Sequence, residues 1–303
     1  MSNTEIVNKI MKLKKERHAV ILAHLYQPAE IQDIADFVGD SLELSRTAKE
    51  TDADVIVFCG VTFMAETAKI LSPDRMVLLP DPTADCPMAN GITAQEILQM
   101  KEQFPEAAVV CYVNSSIEVK AVSDICCTSA NAVSVVQSLP EQQVIFVPDQ
   151  NLGSYIATFC PEKQIILAKG YCPTHHFLTV QQVTETKKQH PEALLLVHPE
   201  CPLEISHMAD LTGSTAQIID YAIRSPAKEF IIATEEGILY KLKCECPDKQ
   251  FYPASPYLIC PNMKKTTLTN LAAALEQLKF VVEVDEEVRQ KAAISLERML
   301  ALS

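Results

Sequence analysis

A chain of 303 residues, 48% of them hydrophobic and 21% charged, has the make-up of a packed globular protein of one large or two to three small domains. Its formal charge of −13 argues against a nucleic-acid or anionic-membrane surface, which would need Lys/Arg patches, but not against a small anionic substrate held locally. The cysteines number 11, the N-terminal stretch lacks an apolar signal core, and no apolar run approaches the roughly 18–20 residues of a membrane span. The expected compartment is therefore the cytosol, where cysteines serve as small core residues, metal ligands or nucleophiles.

In chain order, residues 4–17 read as an amphipathic helix, with Ile6, Ile10, Met11 and Leu13 opposite a Lys-rich face. AVILAH follows, an apolar run of strand length ending in His24. Next come a helical segment carrying Ile34-Ala35-Asp36 and a second helix opened by Gly39-Asp40-Ser41. DVIVFCG reads as a second strand, FMAETAKIL as a helix, and the apolar run before Cys86 as a third strand. Apolar strand-length runs alternating with helices indicate parallel sheets covered on both faces.

The pattern then recurs. AVILAH is matched by AAVVCYVN and ALLLVHPE, which makes His24, Tyr112 and His198 equivalent at steps of 88 and 86 residues (112 − 24 and 198 − 112). Asp36, Asp124 and Asp210 repeat at the same steps, and Ser41, Ser129 and Ser214 each open a helix. QVIFVPD and EFIIATE repeat the second strand. The third strand recurs with a Cys-Pro behind it, at Cys86, Cys172 and Cys260. The reading is an α/β protein of three pseudo-threefold-related, three-layer αβα units with short parallel sheets around a central site. Each unit is a βαβαβ layer with right-handed crossovers. Residues 1–86 with the C-terminal helices of 262–303 form the first unit, 87–172 the second and 173–261 the third. With only 7 glycines and no low-complexity stretch, no flexible linker separates them.

Ligands of parallel α/β sheets bind beyond the carboxyl ends of the strands, and the polar landmarks here lie at those ends. Three equivalent thiolates facing one cavity fit either zinc with an open fourth position or three irons of a four-iron cluster. A shell of cysteines without histidine favours iron–sulfur. Cys126-Cys127 and Cys244-x-Cys246 do not recur between units and read as local pairs or core. Ser41, Ser129 and Ser214 with Thr215 occupy N-cap-like positions. They either cap their helices only or, facing one cavity, bind the carboxylates or phosphate of a substrate. His24, His198 and His175, with Tyr26, Tyr112 and Glu200, form a set able to move protons, with Glu200 the best general base. No dinucleotide or nucleoside-triphosphate loop is present.

The stretches AHLYQPAEIQDIADFVGDSLELSR, FCGVTFMAETAKIL, DCPMAN, YVNS, CTSANA, GYCPTHH, VHPEC, LTGSTAQ and CPNMKKTTL together resemble the quinolinate synthase family, of the three-cysteine type, along nearly the whole chain. That resemblance implies three α/β domains around an oxygen-sensitive 4Fe-4S cluster held by Cys86, Cys172 and Cys260, with the unligated iron acting as Lewis acid. It implies condensation of iminoaspartate with dihydroxyacetone phosphate to quinolinate, phosphate and water, in NAD biosynthesis. It implies substrate contacts from His24, Ser41, Tyr112, Val113, Asn114, Ser129, His198, Pro199, Glu200 and Thr215, with His175 lining the site. Tyr26, Tyr112, Glu200 and the neighbouring His198 stand as the proton-transfer set. An aspartate-oxidising enzyme is the implied partner, since iminoaspartate is unstable. Two features depart from the family pattern. Leu25 stands where a polar or aromatic residue is usual, and Pro-Asn-Met after Cys260 leaves no Cys-x-x-Cys redox pair. The competing readings are a zinc-dependent lyase or hydrolase using the same thiolates, and a non-enzymatic dicarboxylate-binding protein.

Overall fold

The computed structural model describes residues 2–302. In the first layer, α1 (Asn3–Glu16), β1 (Ala19–His24), α2 (Ala29–Gln32), β2 (Phe37–Gly39), α3 (Ser41–Glu50), β3 (Val55–Cys59), α4 (Thr62–Leu71) and β4 (Met76–Leu78) follow one another. The second layer runs α5 (Ala94–Gln103), β5 (Ala108–Tyr112), α6 (Ile117–Ala121), β6 (Ile125–Cys127), α7 (Ala132–Ser138), β7 (Gln143–Val147), α8 (Gln150–Phe159) and β8 (Gln164–Leu167). The third runs α9 (Pro173–His176), α10 (Val180–Gln189), β9 (Leu194–Val197), α11 (Leu203–Ser206), β10 (Leu211–Thr212), α12 (Thr215–Arg224), β11 (Glu229–Ala233), α13 (Ile238–Glu245) and β12 (Gln250–Pro253). A 3₁₀ turn at Asn262–Lys264 leads to α14 (Leu268–Gln277) and α15 (Glu286–Ala301).

The three sheets are parallel and share one strand order, β2-β1-β3-β4, β6-β5-β7-β8 and β10-β9-β11-β12. Each carries helices on both faces, and the strand period of two divides its residues between them. In β1, Val20 and Leu22 face one core, while Ile21 and Ala23 face another built with Ile10 of α1 and Leu268, Leu271 and Leu275 of α14. In β11, Phe230 and Ile232 pack towards α12 and α13, and Ile231 and Ala233 towards the face holding Val183 and Ile205. Fully burying one such side chain contributes about 1.5–3 kcal/mol.

Each unit has four strands where the sequence pattern indicated three. The additional ones, β2, β6 and β10, span three residues or fewer, too few to show a period of two. They are fastened by the repeated aspartates. Asp36 takes the Ile21 N–H on its carboxylate (2.8 Å) and gives its own N–H to the Ile21 carbonyl. Asp124 does the same with Val109, and Asp210 with Leu195, each carboxylate contact 2.7 Å. Asp36 therefore lies beyond α2, which stops at Gln32, and works as a latch between neighbouring strands.

The C-terminal helices divide between layers. α14 covers the first sheet. α15 lies on α6 and β6 of the second layer and also reaches α4. Ser295 donates to the Lys120 carbonyl (2.8 Å), and Arg298 to the Asp124 carbonyl (2.6 Å). The cysteine positions differ from the expectation too. Cys86, Cys172 and Cys260 stand eight, five and seven residues beyond β4, β8 and β12, on loops and not at strand ends.

Candidate active site

The loops beyond the strands of all three layers enclose one cavity of about 160 Å³. Its wall includes Cys86, Cys172 and Cys260. It also includes His24, Tyr26 and Ser41 of the first layer, Tyr112, Asn114, Ser129 and His175 of the second and its junction, and His198, Glu200 and Thr215 of the third. Val113, Pro199 and Ser214 are buried behind this wall and do not line it. Val113 packs into the main core with its N–H on the Cys127 carbonyl. Ser214 caps α12 through Gln217 N–H and donates to Asp40.

Strand register explains the convergence. β1 and β5 end at His24 and Tyr112, and their equivalent His198 directly follows β9; two residues on come Tyr26, Asn114 and Glu200. The helix starts are equivalent at Ser41, Ser129 and Thr215, with steps of 88 and 86 again (129 − 41 and 215 − 129). Ser41 is thus not the cap of α3: Asp40 is, accepting from the N–H groups of Leu42 and Glu43. Asn131 directly precedes α7, so Ser129 lies before the helix proper. Ser214 alone of the three serines is a cap, and Thr215 is the counterpart of Ser41. Leu25, the departure from the family pattern, turns its side chain away into the third layer's core with Leu196 and Phe230.

Glu200 is the hub. Tyr112 donates its phenol hydrogen to Oε1 (2.7 Å), with Asn114 Nδ2 at 3.4 Å from the same oxygen. Oε2 lies 2.7 Å from His175 Nδ1 and 3.8 Å from His198 Nδ1. Burial pushes its carboxyl upward, but His175 and His198 and the bonds from His175 and Tyr112 outweigh that and hold it at about 2. Burial keeps His24 down at about 3 and His198 at about 4, so both imidazoles are neutral near pH 7. In each, Nδ1 accepts a backbone N–H two residues on, from Tyr26 (3.1 Å) and Glu200 (3.3 Å). That assigns the ring proton to Nε2, which in His198 lies 3.2 Å from Ser129 Oγ. Burial first, and then the Glu200 charge, raise Tyr26 and Tyr112 well above the ordinary phenol range, so both stay protonated.

The cysteines share a local design. Each precedes a proline that opens a helical turn, and the N–H of the third residue on, Ala89, His175 or Met263, points at the sulfur. Burial pushes the Cys86 thiol up to about 12 and raises the other two. Half-buried cysteines on one cavity wall, each with a backbone donor, suit cationic metal, which holds thiolates and is tuned by hydrogen bonds to sulfur. This donor set fits a 4Fe-4S cluster. Cys172, His175 and Glu200 also bring one ligand atom each within 4.8 Å of one another, the mixed set a single zinc takes. Cys126, Cys127, Cys244 and Cys246 lie away from the cavity, the exposed Cys244 included.

A family model described as "Quinolinate synthetase A protein" matches residues 8–301. The chain belongs to the quinolinate synthetase A family. Curated relatives named quinolinate synthase run the full length. Those from Alkaliphilus metalliredigens and Clostridium kluyveri are 55% and 54% identical, each over 302 residues and 100% of both chains. That from Thermodesulfovibrio yellowstonii is 52% identical over 296 residues, 98% of each. The chain is thus an enzyme of this family, and no described helix is long and apolar enough to cross a membrane.

Several residues that shape this cavity escape a reading of strand-end landmarks. Thr234 links Tyr26 OH (2.7 Å) and His175 Nε2 (2.8 Å), and Asp149 and Glu235 stand behind Cys172 and Cys260. Their signal is the polar end of QVIFVPD and EFIIATE, the equivalents of one another at a step of 86 residues (235 − 149). Gly237 packs against Tyr26 itself, where an added Cβ would sit 2.7 Å from the Tyr26 Cα.

Proposed function

We propose that this chain is a quinolinate synthase that condenses iminoaspartate with dihydroxyacetone phosphate, releasing phosphate and two waters. One observation carries the reading: three equivalent cysteines line a single cavity with the Tyr112–Glu200–His175 network. Cys86, Cys172 and Cys260 would hold a 4Fe-4S cluster, whose unligated iron supplies Lewis acidity towards a substrate oxygen or nitrogen.

The chain's own groups do the remaining work. Ser41 and Thr215, at helix starts, and Ser129, ahead of α7, line the wall and receive the two carboxylates of iminoaspartate and the phosphate. His24, Tyr112, Asn114 and His198 complete the substrate contacts, with Val113, Pro199 and Ser214 holding the backbone behind them. Glu200, held ionised, takes the proton released as the carbon nucleophile forms. Tyr112, protonated and 2.7 Å from Glu200, returns a proton to a departing hydroxyl. Tyr26 joins the same network through Thr234, which also meets His175, and through Thr215. The division into 1–86 with 262–303, 87–172 and 173–261 belongs to this reading, as do a cytosolic location, an aspartate-oxidising donor of iminoaspartate and a role in NAD biosynthesis.

The Cys172–His175–Glu200 grouping favours a second reading, a zinc-dependent lyase or hydrolase. One experiment separates them. Protein purified without oxygen is assayed for iron, sulfide, zinc and quinolinate formation, alongside Cys→Ala variants. About four iron and four sulfide per chain, lost with Cys86, Cys172 or Cys260 but not with Cys126 or Cys244, supports the synthase. One zinc per chain, or indifference to those three substitutions, overturns it.

A further inference from the structure

Each of the three cavity cysteines gives its backbone N–H to a carboxylate. Cys172 N–H donates to Asp149 Oδ2 (3.2 Å), Cys260 N–H to Glu235 Oε1 (3.0 Å) and Cys86 N–H to Asp85 Oδ1 (2.8 Å). The contact has two different origins. Asp149 and Glu235 are repeat-equivalent, two residues past the ends of β7 and β11, and both are fully buried. The first layer has Val61 at that place, two residues past β3, with no side chain able to accept. There the carboxylate comes instead from Asp85, directly before the cysteine. The same acceptor is thus provided by unlike sequence positions, which a shared ancestry of the units alone does not explain.

The surrounding bonds fix these carboxylates. Asp149 Oδ1 takes the N–H groups of Asn151 and Leu152 at the start of α8, each at 2.8 Å. Glu235 Oε2 takes Gly237 N–H (2.7 Å), and Lys264 Nζ lies 2.9 Å from Oε1. Lys264 also donates to the Tyr26 carbonyl (2.7 Å), which ties the Cys260 turn to the loop after β1. Asp85 Oδ2 accepts from Asn90 Nδ2 (2.5 Å), closing the Cys86 turn.

We propose that Asp85, Asp149 and Glu235 are positioning residues that orient the three cysteine turns, and that the carboxylates of Asp85 and Asp149 place negative charge behind Cys86 and Cys172 while Lys264 offsets that of Glu235, biasing the metal cluster to its oxidised state. The inference rests on the cluster reading above. Adding an electron to a cluster backed by fixed anionic oxygens is disfavoured, because net charge and hydrogen bonding set cluster potentials. An oxidised cluster is the stronger Lewis acid, so the arrangement suits dehydration and not electron transfer.

The test uses the full-length chain purified without oxygen. Wild type is first assayed for iron and sulfide, then reduced stepwise with dithionite while visible and electron paramagnetic resonance spectra are followed. Asp149→Asn, Glu235→Gln, Asp85→Asn and the triple variant keep an acceptor oxygen and lose the charge. They are expected to retain iron, with reduction favoured at least tenfold in the triple variant, 59 mV for a one-electron couple. Asp149→Ala and Glu235→Ala, which lose the acceptor as well, are expected to lose at least half their iron. Asp85→Asn, at a half-exposed position, gives the reading should a buried variant fail to fold. Alanine variants with full iron, together with unchanged potentials in all charge-removing variants, overturn the proposal. Wild type without iron and sulfide overturns the cluster reading instead, so the two failures are distinct.

Discussion

The Tyr112 hydroxyl lies 2.7 Å from Glu200 Oε1, a buried hydrogen bond between the second and third sheets across the cavity. Neither residue is near the other in sequence, and neither layer alone contains the pair. This contact therefore depends on how two layers are seated against each other.

Replacing Glu200 by Gln keeps the shape and removes the base. Quinolinate formation is expected to fall about 10²–10⁴-fold with metal content unchanged. Tyr112→Phe acts through the same bond, so the double variant is expected to fall by less than the product of the two single losses. Steady-state assays of the four proteins decide it, and a loss under tenfold in Glu200→Gln removes this residue from the proton chemistry.

Acid stability follows from the buried imidazoles. His24 and His198 are held at about 3 and about 4, below the unfolded value near 6.5. The unfolded chain therefore binds more protons below pH 6.5, and stability declines as pH falls from there towards 4. Glu200 has a depressed carboxyl, so its contribution persists above about 4.5 and is lost only as pH nears 2. Urea unfolding of metal-free protein between pH 7 and 4.5 should show the decline, and His24→Gln with His198→Gln should flatten it. A pH-independent midpoint in wild type would contradict the assignment.

The aspartate latches are far from the chemistry. Asp210→Ala leaves the Leu195 N–H without its carboxylate partner, which costs about 1–3 kcal/mol. A lowered urea midpoint with unchanged slope and near-normal turnover per folded molecule is the expected result. An unshifted midpoint would show that water replaces the latch.

Gly237 is a close-approach position. Its missing Cβ leaves room for the Tyr26 backbone, so Gly237→Ala must push Tyr26 or the start of α13 aside. Activity is expected to fall at least tenfold, since misplacing a site group by about 1 Å can cost about 10²-fold. Wild-type kcat and KM in this variant would show that the contact yields without moving the site.

Much of the architecture is legible in the sequence because its signals are periodic. The apolar runs of β1, β3, β5, β7, β9 and β11 and the steps of 88 and 86 residues disclose three equivalent layers. The short edge strands are not legible, since two or three residues show no alternation. The Cys-Pro pairs mark the shared cavity, yet the chain leaves the sheet well before them, at Leu79, Ala168 and Ala254. Counting Ser214 with Ser41 and Ser129 is a slip of one residue. Identity of residue type misleads there, and pairing in β10 corrects it. Asp149 and Glu235 show only as the polar ends of QVIFVPD and EFIIATE, 86 residues apart, whereas the bond from Lys264 to the Tyr26 carbonyl leaves no spacing pattern. The placement of α15 on the second layer is likewise set by Leu296 and Met299 finding that core, not by their order in the chain.

The latching aspartates are the same residue in all three layers, whereas the residues facing the cavity have diverged: His24, Tyr112 and His198 at one level, Tyr26, Asn114 and Glu200 at the next. A threefold frame with identical walls would accept a small lopsided molecule in three equivalent orientations, two of them unproductive. Here Glu200 has Tyr26 and Asn114 as its counterparts in the other layers, so the three rotations are not equivalent. Uniform scaffolding and unlike linings together turn a symmetric vessel into an oriented one.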